Sequence, residues 1–430
     1  MPQSTDSRAL LMQLYQAAVT AAHPGTCVPP FLPAVPEGGR IIIVGAGKAA
    51  AAMAQATERH YMALGQGDRI SGFVTTRHGY GLPTEIIEVI EAGHPVPDQM
   101  SIETAQRALQ LAASAGPGDL VLALMSGGAS ALWSAPASGI TFDAKQNLTK
   151  QLLRSGARIT EMNCIRKHLS AIKGGKLAAA VGKNTALLTL AISDIPGDDP
   201  AAIGSGPTIG DPTTLQEARE ILHHYGIDAA PEIQAILADE ANETLKPDDA
   251  RLAHARFEIV AAPRQSIAKA AAIAEAAGYE VVSLGDALEG EARDVAEEHA
   301  RLALEAKSAG KRIAVMSGGE LTVTIRGEGS GGPNQEYALA VAIALEGAEG
   351  ICALAGDTDG TDGGAGSATD PAGAIVLPDT LKRASAANIN AAKSLENNDS
   401  TTFFRAIGDL VECGPTQTNV NDFRVILVDP

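Results

Sequence analysis

The chain has 430 residues, 45% of them apolar and only 3% aromatic, with a formal net charge of −18. That length buries a large core and suits two or three domains, while so acidic a balance tells against nucleic acid or an acidic membrane as partner. No run of about 18 apolar residues predicts a membrane span, and no charged-then-apolar leader opens the chain. Cys27, Cys164, Cys352 and Cys413 are scattered without a C-x-x-C pair, which reads as reduced thiols in the cytoplasm.

Residues 6–22 predict a helix, and 24–36 a Pro-rich connector. IIIVGAGKAAAAMA (41–54) reads as a buried strand, a glycine turn and a helix. Gly45, Gly47 and Ala50 fit the G-x-G-x-x-A dinucleotide fingerprint, with Asp68 about 20 residues on. Gly47-Lys48 also half resembles a P-loop. However, Ile42 stands where the first Gly of that loop belongs, and Ala49 where Mg²⁺ needs a hydroxyl. A helix N-terminus favours an anion, whereas Lys48 in the first turn opposes the macrodipole. Its placement therefore asks for an anionic partner; a solvated surface lysine is the plainer alternative.

GFVTT (72–76) and IIEVIEA (86–92) are further strands, GHPVPD (93–98) a loop and SIETAQRALQLAASA (101–115) a helix. DLVLALMSGGASALW (119–133) returns to strand, glycine turn and helix. Such alternation predicts a parallel sheet in an α/β fold. MNCIRKHLSAIKGGKLA (162–178) packs Arg166, Lys167, His168, Lys173 and Lys176 into eleven residues. It is a basic island able to hold phosphates by charge and forked guanidinium bonds, or else an exposed helical face. TALLTLAISDIPGDDPAAIGSGPT (185–208) runs from an apolar strand into a polar loop carrying Asp194, Asp198 and Asp199. Open α/β sheets bind ligands at such strand ends.

Residues 239–253 are polar and charged, and mark a boundary between a domain of 1–245 and one of 255–430. FEIVAA (257–262) then opens a second α/β unit, and RIAVMSGGELTVTIRG (312–327) repeats the Met-Ser-Gly-Gly of 125–128, a weak internal echo. RGEGSGGPNQEYALA (326–340) sets Arg326 before a glycine loop and Asn334-Gln335 at a helix start, a second anion contact. LAGDTDGTDGG (354–364) places Asp357, Asp359 and Asp362 at a strand end. Carboxylates with few histidines nearby suit Mg²⁺; turn-forming aspartates are the alternative. A calcium loop is excluded, because Ala368 stands where its twelfth-position Glu belongs. His223-His224 are adjacent on a helix and receive no role. FRVILVD (423–429) is a closing strand that fits either sheet.

In order along nearly the whole chain, VGAGKAAAAMA, GHPVPD, LMSGGASALW, MNCIRKHLSAIKGGKLA, SDIPGDDPAAIGSGPT, SGGELTVTIRGEGSGGPNQEYALA, AGDTDGTDGGAGSATDPAGA and GPTQTNVNDFRVIL resemble the MOFRL-type glycerate 2-kinases. The resemblance implies a two-domain α/β protein. A Rossmann-like parallel-sheet N-terminal domain is followed by a smaller α/β MOFRL domain, with the active site in the cleft. It implies conversion of D-glycerate and ATP to 2-phosphoglycerate with Mg²⁺, and roles for a lysine in the first glycine turn and an arginine in the second domain. Those match Lys48 and Arg326. Lys48 is expected to stabilise charge on the transferred phosphoryl group, and Arg326 to clamp the glycerate carboxylate. Asp194 binds Mg²⁺ or takes the hydroxyl proton, and Asp357 is a second metal contact. Gly45, Gly47, Ser126, Gly127, Gly128, Ser130, Lys173 and Lys176 are the expected nucleotide contacts. APRQS (262–266) departs from the family in lacking an Asn before the Arg, which puts a minor contact in doubt. Oligomeric state stays open, a homo-oligomer included.

Some members of this family carry a hydroxypyruvate reductase label, often beside tartrate-degradation genes. The rival expectation is thus NAD(P)H-dependent reduction on the G-x-G-x-x-A turn. No Arg/His/Glu hydride-transfer arrangement supports it, and two acidic strand ends suit phosphoryl transfer better.

Overall fold

A computed structural model of the chain describes residues 7–182, 184–363, 367 and 369–430. It divides into two compact units, Cys27–Val260 and Met1–Thr26 with Ala261–Pro430. No helix of the described residues is long and apolar enough to cross a membrane.

The first unit is built on six strands: β1 (Ile41–Ala46), β2 (Ile70–Arg77), β3 (Glu88–Ala92), β4 (Leu120–Met125), β5 (Ala186–Ile192) and β6 (Ala255–Ala261). Their order is β3-β2-β1-β4-β5-β6, and β1 to β5 run parallel. β1 and β4 are buried at every residue, as strands covered on both faces must be. The helix Gln99–Ala113 lays Ala105, Ala108 and Ala112 against that core at helical spacing, and Asp98 caps its start. Chain order reverses between β1 and β4, since β1 leads outward to β2 and β3 while β4 leads to β5. That reversal is the switch point at which open α/β sheets form a crevice beyond the strand C-termini. Because Ala46 pairs with Met125, the turns after β1 and β4 emerge side by side.

β6 corrects the expectation for FEIVAA, which joins the first sheet beside β5 instead of opening the second unit. Its alternating exposure along Ala255–Ile259 is that of an edge strand. The division between units falls at its last residue, between Val260 and Ala261.

The second unit carries β7 (Glu280–Ser283), β8 (Gly290–Glu291), β9 (Ile313–Ser317), β10 (Leu321–Thr322), β11 (Ile351–Asp357), β12 (Gly373–Val376), β13 (Leu410–Val411) and β14 (Asp422–Val428). β8 pairs with β10, and the rest form a sheet in the order β13-β12-β11-β14-β9-β7. β8 and β10 run parallel, as do β7 and β9, while β14 is antiparallel to both neighbours. The parallel pattern therefore stops at the first unit, and the closing strand takes a central place in this second, mixed sheet. The helix Ser7–Ala22 belongs here too. Leu10, Leu11, Leu14, Tyr15 and Ala18 share one core with Ile267, Ala270 and Ala274 of the helix Pro263–Ala276. Tyr15 donates its hydroxyl to the Asp357 carbonyl at 2.7 Å, and Arg8 pairs with Asp409.

The aspartates of the 354–364 segment serve this fold. Asp362 is buried, and its carboxylate accepts the backbone N–H groups of Asn334 (3.0 Å) and Gln335 (2.9 Å), which caps the helix Pro333–Leu345. Asp359 accepts from the Thr361 N–H, and Asp357 from the Asp359 N–H, each at 2.8 Å. These are turn aspartates. Residues 364–366 and 368, including Ala368, lie outside the described residues. Asp362→Ala leaves two buried N–H groups without an acceptor and should cost about 2–4 kcal/mol, read as a lower urea midpoint at unchanged slope.

Candidate active site

At the switch point the two turns are stitched together by main-chain bonds. The N–H of Gly47 donates to Thr75 O (3.1 Å), that of Lys48 to Gly127 O (2.8 Å), and that of Ala50 to Gly47 O (3.1 Å). The N–H of Ala49 donates to Ser126 Oγ at 3.0 Å. Gly47 has a φ of 141°, and a Cβ there would lie 2.0 Å from Ser126 Oγ. A Cβ on Gly45 would lie 2.6 Å from Leu124 O. The glycines thus permit close approach of the β1 and β4 turns. The N–H groups of Gly47, Lys48, Ala49 and Ala50 are thus engaged within the protein. What the turn presents is the half-buried Lys48 side chain. A Cβ on Gly128 would meet His94 Nε2 at 2.9 Å and Lys48 Cγ at 3.4 Å, so both side chains flank Gly128.

Beyond Gly128 lies a cavity of about 230 Å³, walled by His94, Ser130, Ser134, Lys145, Thr149, Arg166 and Lys173. No carboxylate is among the described residues that line it. Lys173 is 2% exposed, and its ammonium donates to Ser130 O (2.9 Å), Ser130 Oγ (3.0 Å) and Gly204 O (3.2 Å). Lys145 donates to Ala135 O at 3.4 Å, and Arg166 to Asn163 Oδ1 at 3.5 Å. All of these acceptors are neutral. Burial, and then the positive charges of Lys176 and Arg166, push the Lys145 ammonium down to about 7. Burial, with Lys145 and Arg166 adding, pushes Lys173 well below its ordinary range, and burial also lowers Arg166. Two buried lysines and the half-buried Arg166, with no carboxylate among the described residues of the wall, make a site for an anion.

Lys145 gives this site a pH signature. Its folded value is about 7 against an ordinary 10.5, so between those values the unfolded chain holds the extra proton. Stability from this group therefore rises with pH across that window, and is lost as pH falls towards 7. A bound anion restores the ammonium, so sulfate binding at about pH 8.5 should take up as much as one proton. Calorimetry in two buffers of different ionisation enthalpy measures that uptake, and zero uptake removes Lys145 from the anion's contacts.

The structure divides the basic island. Arg166 and Lys173 face the cavity, whereas Lys167 pairs with Asp211 (2.9 Å) and His168 with Glu243 (2.9 Å). Lys176 donates to the carbonyls of Lys167 and Ser170, which places it in the turn that holds the island and not on the cavity wall. Ser126 and Gly127 accept from the β1 turn, and Gly128 and Ser130 line the cavity. Asp194 is half-buried just past β5. Asp357 and the exposed Arg326 belong to the other unit, as does the second Ser-Gly-Gly turn. In that echo Gly128 and Gly319 share a positive φ, 83° and 88°. Among the described residues no three His, Cys, Asp or Glu gather as a metal cluster.

Lys145, Thr149 and His94 carry no role in the sequence reading. Lys145 had a signal: it sits with Leu148 and Leu152 on the buried stripe of the helix Phe142–Ser155, where a lysine does not belong without a reason.

Family models match a domain of unknown function, DUF4147, over residues 10–238 and the MOFRL family over 313–422. A protein of Agrobacterium vitis with a provisional hydroxypyruvate reductase name is 47% identical over 428 residues, covering 98% of this chain and 94% of that one. The D-glycerate 2-kinase of Thermotoga maritima is 36% identical, covering 97% and 98%. A crystal structure of glycerate kinase from Thermotoga maritima superposes with a TM-score of 0.87 at 35% identity, over 98% of this chain and 99% of that one. In motif order, sequence and fold alike, the chain belongs to the MOFRL-type glycerate kinase family.

Proposed function

We propose that this protein transfers the γ-phosphoryl group of ATP to the 2-hydroxyl of D-glycerate, with Mg²⁺ as the accompanying cation. The observation that carries the reading is the carboxylate-free cluster of Lys145, Arg166 and Lys173 beyond Gly128, with Lys48 beside that glycine at the sheet switch point. The names of the related kinases supply the acid.

Phosphoryl transfer is mainly positioning and charge neutralisation. The glycerate oxygen bonds to the γ-phosphorus as the bond to the bridging oxygen of ADP breaks, and the hydroxyl proton leaves to a base, for which Asp194 is the candidate. Lys48 meets the negative charge on the phosphoryl group in flight. Mg²⁺ keeps several waters and takes one or two carboxylates besides phosphate oxygens. Asp194 is the residue proposed to hold it, and bound Mg²⁺ would neutralise charge on the β- and γ-phosphates.

The name of the Agrobacterium vitis relative raises reduction of hydroxypyruvate as a second reading. Against it stand the engaged N–H groups of the β1 turn, which leave no backbone cradle for a dinucleotide pyrophosphate. Purified protein with D-glycerate, ATP and Mg²⁺, followed by ³¹P NMR, tests the proposal. NADH and NADPH absorbance with hydroxypyruvate runs in parallel. A 2-phosphoglycerate resonance without nicotinamide oxidation supports the kinase, and its proton coupling separates the 2- from the 3-phosphate. Nicotinamide oxidation without phosphoglycerate overturns it.

A further inference from the structure

We propose that the cavity of Lys145, Arg166 and Lys173 is the subsite for the small acid. There it holds the glycerate carboxylate and the added charge of the phosphorylated product, and the nucleotide lies outside. The assignment rests on the kinase reading above. It moves the carboxylate clamp from Arg326 to Arg166.

Size is the first ground. The cavity measures about 230 Å³, below the roughly 300–1,000 Å³ of pockets that enclose drug-sized ligands. A three-carbon acid fits within it; a nucleoside triphosphate does not. Charge is the second. Each cation bonds only neutral acceptors, and like charges buried together without a counter-ion are costly. The ligand supplies the missing charge. Glycerate brings one negative charge and leaves an excess, whereas phosphoglycerate brings the phosphate's as well. Product should therefore bind more tightly than substrate. Donor type is the third ground. The Arg166 guanidinium matches a carboxylate with two parallel bonds, and the hydroxyls of Ser130, Ser134 and Thr149 suit a hydroxy acid.

Trp133 is the single tryptophan of the chain. It is buried and next in sequence to Ser134 on the cavity wall, and its fluorescence is followed alongside calorimetric heats, which register binding without it. Full-length protein is titrated with D-glycerate, 2-phosphoglycerate and ATP, as wild type, Arg166→Gln and Lys145→Met. The expected result is a Kd for D-glycerate raised at least about tenfold in each variant, that for 2-phosphoglycerate raised more, and that for ATP changed by less than about twofold. Without ligand the thermal midpoint of each variant should hold or rise, because one of three repelling charges is gone. Equal weakening of ATP and D-glycerate would make the cavity part of the nucleotide site and overturn the assignment. Unchanged D-glycerate binding in both variants would also overturn it, and a lowered midpoint with unchanged binding would leave these residues a packing role. The kinase reading fails separately, when wild type forms no phosphoglycerate yet still binds D-glycerate in an Arg166-dependent way. Wild type that binds no D-glycerate overturns both.

Discussion

Replacing Lys48 with alanine lowers kcat by about 10²–10³, with far-UV circular dichroism and thermal midpoint unchanged. The backbone at this position keeps its supports: the Lys48 N–H still donates to Gly127 O, and its carbonyl still accepts from Thr76 Oγ. Alanine is also the best helix former at the mouth of the helix Ala50–Ala63. The cation is lost, and with it charge stabilisation of the phosphoryl group in flight. Cavity cations remain, so the KM for D-glycerate should shift much less than kcat, the sign of an interaction made mainly in the transition state. Steady-state kinetics on folded mutant protein decides the matter. Near-normal turnover removes Lys48 from the mechanism.

Replacing Gly47 with alanine costs about 3 kcal/mol or more, a large share of the roughly 5–15 kcal/mol that holds an ordinary domain folded. The new methyl group would sit 2.0 Å from Ser126 Oγ and 2.6 Å from Ser126 O, at a φ of 141° that L-residues rarely adopt. Removing the hydroxyl does not rescue it, since Ser126→Ala leaves the carbonyl in place. Gly38→Ala is the control. Its φ is also positive, at 71°, but nothing lies within 4 Å of its missing Cβ, so only backbone strain of about 1–2 kcal/mol applies. Urea midpoints of the two variants should differ accordingly. Equal midpoints would show that the β1 and β4 turns are not locked together through Gly47.

Much of this protein is written locally. β1 and β4 announce themselves as unbroken apolar runs before glycine turns, and the alternation with helices gives the first sheet. The mixed second sheet is not legible in that way, because strand direction depends on partners about a hundred residues apart, such as β9 and β14. FEIVAA misleads for a similar reason: an edge strand carries the same residues whichever sheet it borders. At the site, Lys48, Ser130 and Lys173 are visible as cations and hydroxyls around glycine turns. Lys176 belongs to the same run of sequence, but a short helix turns its ammonium onto backbone carbonyls. Lys145 lies on a helix that no motif marks, and only the fold brings it to Arg166. The aspartates of 357–362 show the converse. Their spacing suggests a cation, yet the same carboxylates cap a helix and close tight turns.

The place of β14 bears on how the polypeptide comes into being. Residues 422–428 lie between β11 and β9, and the helix Ser7–Ala22 packs onto elements beyond residue 261. During synthesis the segment 27–260 has all of its own sheet partners before the rest is translated. The second unit has its first helix earliest and its middle strand last. It therefore cannot close until residues 422–428 have left the ribosome, and until then the edges of β9 and β11 and the apolar face of the first helix stay open to chaperones and to aggregation.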